Sequence, residues 1–168
     1  PATEYALTAD ALKDDFVINP VSTAAFNVGD YVRFIKDDAN LVNDAWAERR
    51  TGQISRISAK TATSLTLEST LRMNFLTSEN SRVRKVNPKS NVGLECFSLA
   101  RIDPLASTEN PNQSSNIRFN RTVNSWVKGV ESINCNYAHV EALYSANLLI
   151  AECYFHDAFD FGDGGRAY

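Results

Sequence analysis

The sequence predicts an all-β chain in two parts, a set of short antiparallel strands forming a small barrel and then a coiled solenoid. Three observations predict it. First, an Asn-x-x-aliphatic pattern recurs at Asn91-Val92-Gly93-Leu94, Asn124-Ser125-Trp126-Val127 and Asn147-Leu148-Leu149-Ile150. The last two copies lie 23 residues apart (147 − 124), a repeat length at which each turn of backbone stacks on the one before. Second, the first ninety residues lack this repeat and carry short segments with alternating faces instead. Third, no stretch of the second half sustains a helical period with caps.

The first half reads as strands over Asp15–Asn19, Tyr31–Lys36, Gly52–Ser58, Ser64–Leu67 and Arg82–Val86. Phe26-Asn27-Val28-Gly29-Asp30 is turn chemistry leading into Tyr31-Val32-Arg33-Phe34-Ile35, whose odd and even positions face opposite ways. Gly52–Ile57 and Ser64–Leu67 read as a hairpin, and Asn40–Arg50 as one short helix or a long loop. Small antiparallel barrels have this pattern.

In the second half, strands are expected over Val92–Leu99, Ile117–Phe119, Trp126–Ser132, Val140–Leu143 and Leu148–Phe155. At an offset of 23, Ile117 falls on Val140, Phe119 on Ala142, Val123 on Ala146, Val127 on Ile150 and Val130 on Cys153. Ser132 on Phe155 and Asn120 on Leu143 are misfits. Asn91 precedes Asn124 by 33 residues (124 − 91), ten more than the repeat. The Pro-, Asn- and Ser-rich stretch 103–115 accommodates the surplus as a loop at one corner. Asn91, Asn124 and Asn147 are expected to stack their side-chain amides as a ladder inside a bend. The two parts are divided as residues 1–88 and 89–168.

Composition bounds the function. Hydrophobic content of 43% and charged content of 22% are those of a globular chain. A net charge of −3 gives no bulk electrostatic case for nucleic acid, and no apolar run reaches membrane-spanning length. The chain starts at Pro1 and breaks off in FDFGDGGRAY, which reads as an unfinished turn and suggests a piece of a longer protein. Cys96, Cys135 and Cys153 have neither a CxxC spacing nor an even count, so zinc ligation and a disulfide framework are weak readings. Cys153 falls in the apolar register and is expected to be buried. Nucleophile elbows, Walker loops, HExxH and GxGxxG are absent.

NVGLECFSL, NSWVKGVES and NLLIAECYF resemble the coils of right-handed parallel β-helix proteins of the pectate-lyase-like superfamily. FNVGDYVRF, GQISRI and SLTLES are similar to the small β-barrel module that accompanies such helices in secreted polysaccharide-active proteins and phage tail proteins. The resemblance implies a secreted or cell-surface protein whose partner is a polysaccharide, a lyase or hydrolase on an anionic glycan. It equally admits a non-catalytic tailspike, adhesin or filament, and fold analogy does not choose among them. The NTD, DD and GHG motifs of polygalacturonase-type enzymes are missing.

A lyase needs a cation to neutralise a uronate carboxylate and a base to take the α-proton. His156, with Asp157 and Arg166, is the candidate catalytic group. Asp160 and Asp163 offer hard oxygen ligands suited to Ca²⁺, although DFGDGG lacks the spacing of a calcium loop and reads equally as a Gly-rich turn. Trp46 with Arg49, and Trp126 with Lys128, are candidate substrate-binding residues, since Trp stacks on sugar faces and cations pair with carboxylates. The plainer alternative for Trp46 is a buried loop residue. Arg118 and Glu141 coincide at the repeat offset and are expected to pair across coils, as are Lys128 and Glu95. His139, at the place of Asn116 one turn earlier, is read as a stacked polar corner.

Overall fold

A computed structural model describes residues 3–102 and 114–159. The chain divides into two compact units, residues 1–87 and 88–168. Fifteen strands and two single turns of 3-10 helix make up the regular structure of the described residues, with no α-helix among them.

The first unit holds β1 (Tyr5–Ala6), β2 (Val17–Ile18), β3 (Tyr31–Ile35), β4 (Ile54–Lys60), β5 (Leu65–Leu67) and β6 (Arg82–Val86). All pairings are antiparallel, in the order β1-β6-β3-β4-β5-β2. Beyond the strand ends, Thr8 N–H donates to the Asn19 carbonyl and Val21 N–H to the Ala6 carbonyl, each at 2.8 Å. These bonds join the two edge strands, so the sheet curls onto itself and leaves little open edge. Alternation places Val32, Phe34 and Val83 inside with Phe26, Ile57, Leu65, Leu67 and Phe75. The 40–50 stretch is a loop with a 3-10 turn at Ala45–Ala47 rather than an α-helix.

The second unit holds β7 (Lys89–Ser90), β8 (Gly93–Glu95), β9 (Ser98–Ala100), β10 (Ile117–Asn120), β11 (Thr122–Lys128), β12 (Glu131–Cys135), β13 (Val140–Leu143), β14 (Ala146–Ala151) and β15 (Tyr154–Ala158). Every pairing here is parallel. β11 stacks between β14 and the β7–β8 segment, β12 between β15 and β9, and β10 beside β13. The registers run at offsets of 23 and 33, with Ile117 against Val140, Val127 against Ile150 and Trp126 against Gly93. Three-sided coils result, enclosing Ile117, Phe119, Val127 and Val130.

Single left-handed residues turn the coils. Arg121 and Tyr144, Asn124 and Asn147, Gly129 and Glu152, and Asn134 and Asp157 all have φ between 49° and 60°, each pair one repeat apart. Asn91 and Cys96 repeat two of these corners in the first coil. Here the structure corrects the expected strands. Val92–Leu99, Trp126–Ser132 and Leu148–Phe155 are each broken in two, at Cys96, Gly129 and Glu152. Only Gly129 has the residue type that favours positive φ. The two misfits of the alignment also have causes. Asn120 is exposed and pairs in register with Leu143, which is only partly buried, and Ser132, fully buried opposite Phe155, is hydrogen-bonded by Asn116 and His139.

Candidate functional site

The nominated residues fall into three groups, two on the coils and one in the first unit. The first is on β11. Strand alternation points Val123, Ser125 and Val127 inward and Trp126 and Lys128 outward. Trp126 lies over Gly93 of the neighbouring coil, where a Cβ would stand 2.5 Å from the indole carbons Cε2 and Cζ2. Its Nε1–H donates to Glu95 Oε1. Lys128 is in register with Glu95, as expected, yet its ion pair is with Glu152 of the following coil, at 3.7 Å. Glu95 serves the tryptophan instead. Trp126 is thus clamped against its own wall rather than held out flat for a ligand. Arg118 and Glu141 pair across coils at 3.1 Å, and Ser115 also donates to that carboxylate at 3.0 Å.

The second group lies on the adjacent side of the coils, past the corner at Gly129 and Glu152. Ser98, Glu131 and Tyr154 occupy equivalent positions of β9, β12 and β15. His156 projects beside them, with Nε2 3.2 Å from Glu131 Oε1 and Nδ1 3.0 Å from Asp157 Oδ2. Tyr154 stacks on its ring at a centroid distance of 4.3 Å. Ser98 completes the set by donating to Glu131 Oε2 at 2.8 Å. Desolvation pulls the His156 pKa down, but the hydrogen bonds to Glu131 and Asp157 outweigh it and hold it above the usual imidazole value. The bonds from Ser98 and His156 hold Glu131 below the usual carboxylate value. This is a doubly tethered imidazole. Glu131, Ser98 and Tyr154 were not nominated from sequence, although the 23- and 33-residue offsets that align the asparagines also align them.

Below it, His139 is the buried counterpart. Its Nδ1 lies 2.9 Å from Ser132 Oγ and its ring stacks on Phe155 at 5.6 Å. Burial pushes its pKa down. Asn116 reaches the same Ser132 at 2.9 Å, so the expected polar corner is a hydrogen-bonded one. At the next corner Asn147 Nδ2 donates to Asn124 Oδ1 at 3.1 Å, and Asn91 shares their left-handed backbone.

The third group is in the first unit. Asp38, almost wholly buried, accepts from the backbone N–H of Arg49 and, at 2.8 Å, of Thr51. Burial pulls its pKa up, yet these bonds and that to the Thr51 side chain win and lower it. They close the 38–51 loop. Trp46 stands at its crest, 76% exposed, which corrects the buried alternative. Arg49 pairs with Glu4 at 3.0 Å.

Asp160, Asp163 and Arg166 lie outside the described residues. Among the described residues no group of three or more His, Cys, Asp or Glu side chains is placed to hold a metal ion. Cys96, Cys135 and Cys153 are free thiols, exposed, buried and partly buried respectively. A cleft of about 570 Å³ opens beside β10, but its apolar lining of Leu94, Leu99, Ile117 and Phe119 is the coil interior itself. No helix among the described residues is long and apolar enough to cross a membrane.

Residues 3–87 match the family described as K1 capsule-specific polysaccharide lyase, Rider domain. The chain belongs to this family. The Rider match coincides with the curled antiparallel unit and stops where the parallel coils begin. No curated protein matches the chain. Among solved structures it is similar to the gp54 tailspike of Acinetobacter baumannii bacteriophage AP22, in complex with A. baumannii capsular saccharide. That likeness has 17% identity and a TM-score of 0.46 over 82% of this chain and 24% of that one. The tailspike protein gp49 of Pseudomonas phage LKA1 gives 11% and 0.48, over 90% and 29%. Tailspike gp61 of Pseudomonas phage phi297 gives 11% and 0.47, over 89% and 33%. The chain spans between a quarter and a third of the length of these proteins.

Proposed function

We propose that this chain is a segment of an extracellular or virion-surface protein that engages capsular polysaccharide, of the lyase or tailspike type. The observation that carries the reading is the Rider-domain match over residues 3–87, in a chain that continues as parallel coils. Stacked coils form a straight, rigid wall along which a polymer can lie across several subsites. Trp46, exposed beside Arg49, offers a sugar face a platform and a cation.

The described residues fit holding the polymer better than cutting it. A base that takes an α-proton needs a free lone pair within reach of the substrate. Both ring nitrogens of His156 face carboxylates instead, and its raised pKa favours the protonated form. We therefore assign His156 as a cationic contact for the polymer, positioned by Glu131 and Asp157, in place of the base expected from sequence. Two other cations of the coils are likewise paired, Lys128 with Glu152 and Arg118 with Glu141.

The test is affinity electrophoresis of the full chain in gels cast with K1 capsular polysaccharide or with uncharged dextran, together with unsaturated-product absorbance. The expected result is retardation by the capsular polymer alone, weakened several-fold by Trp46→Ala, with no growth of absorbance. Absence of retardation overturns the reading. Growth of absorbance that His156→Ala abolishes restores His156 as the base.

A further inference from the structure

The outer face of the six-stranded sheet carries a concentration of arginines. Arg33 on β3 and Arg84 on β6 are direct cross-strand partners, and Arg82 lies two residues along on the same face. Like charges placed opposite one another in a sheet are destabilising. Arg33 is only 7% exposed, and its Nη2 donates to the Arg49 carbonyl at 3.2 Å, which brings the 38–51 loop onto this face. Four arginines therefore meet here in a protein whose net charge is −3.

Asp37, half exposed, takes Arg82 Nη2 at 2.7 Å. Glu4, just before β1, supplies a further carboxylate. It accepts a hydrogen bond from Arg49 Nη2 at 3.0 Å and stands 3.6 Å from Arg82 Nε and 3.8 Å from Arg84 Nη1. The last two separations exceed hydrogen-bonding distance. Correspondingly, the buried Nε atoms of Arg82 and Arg84 make no hydrogen bond. Unpaired buried donors are costly, and local rules of sheet design are broken chiefly where function requires it.

We infer that this face is a binding site for the carboxylate of an acidic sugar, and that Glu4 is a poorly fitted internal stand-in for that carboxylate. Arginine is suited to the task, since its planar fork binds carboxylates through two parallel hydrogen bonds and two such donors here are unused. Trp46, on the loop that also carries Arg49, supplies a stacking surface for the ring bearing the carboxylate. The ligand class rests on the glycan-binding reading above; the geometry does not.

The test uses the full chain with ¹⁵N detection of the arginine side chains, titrated with sodium glucuronate and, as the uncharged control, glucose. Glucuronate is expected to shift the Nε resonances of Arg82 and Arg84 and glucose to leave them. Glu4→Gln, which removes the competing charge, is expected to tighten glucuronate binding roughly five- to tenfold, and Arg84→Gln to weaken it by a similar factor. Arg49→Gln, on the exposed loop, replaces Arg84→Gln if that variant does not keep the parent amide spectrum. The inference stands only if the glutamate and arginine variants move the affinity in opposite directions and glucose is silent; any other pattern overturns it. If the chain retains capsular polymer while glucuronate affinity ignores both variants, the site fails and the polymer reading survives. If glucuronate binds as expected and the polymer does not, the reverse holds.

Discussion

His156 and His139 respond to pH in opposite senses. His156 is raised above its ordinary value of 6.5, so its contribution to stability is complete below that value and is lost as pH rises through the raised pKa. Glu131 is lowered from 4.5, so its contribution is complete above that value and is lost as pH falls through the lowered pKa. The pair is therefore most stabilising between pH 4.5 and 6.5. The melting midpoint of the native chain should exceed that of His156→Gln by most in this window, and the gap should shrink at higher pH. A gap independent of pH would remove the charged pair. Buried His139, lowered from 6.5, leaves the fold unaffected above that value and opposes it progressively below, so the comparison is read together with a His139→Gln variant measured separately. The Asn124–Asn147 amide bond is a second prediction at this scale. Alanine at either position loses the bond and keeps a left-handed backbone that suits it badly, at a cost of about 1–3 kcal/mol. Denaturant midpoints unchanged in both variants would show that the ladder carries no stability.

Between neighbouring coils, the contact with least tolerance is Gly93 under Trp126. A Cβ at Gly93 meets the indole at 2.5 Å, so Gly93→Ala must displace the ring or the strand, at about 1–3 kcal/mol. Gly93→Ala combined with Trp126→Ala should cost less than the two changes added, because the clash is gone. Strict additivity would show that the two residues do not interact. The 23-residue stacking of these strands was legible in the sequence because asparagine enters the left-handed region readily and so marks a corner by its residue type. The other corners were not legible. Cys96, Arg121, Tyr144 and Glu152 bend the chain where nothing in their chemistry announces it; of the three expected strands that a corner breaks in two, only the one at Gly129 carries a residue that marks the bend. The setting of His156 was half legible. Asp157 is its sequence neighbour and Tyr154 shares its face two residues back on β15, whereas Glu131 and Ser98 come to it only once the coils are stacked.

For the molecule as a whole, the first unit has its own fully buried core of Phe26, Phe34, Phe75 and Val83, and joined sheet edges. Residues 1–87 produced alone should fold and unfold cooperatively, as judged by dispersed amide resonances and a single denaturant transition. A collapsed spectrum would show that this unit depends on the rest of the chain. The all-β character of both units was legible from short β-branched runs and the missing helical period. The arginine face was not, because Glu4 joins Arg49, Arg82 and Arg84 from the far end of the unit. The left-handed corners have one more implication. Since direction is set by one residue per bend, and the ten-residue surplus in the first coil leaves both of its marked bends in place, loop length and coil number are separate variables. Such an architecture can gain or lose residues between coils, by natural recombination or by splicing, without disturbing the winding on either side.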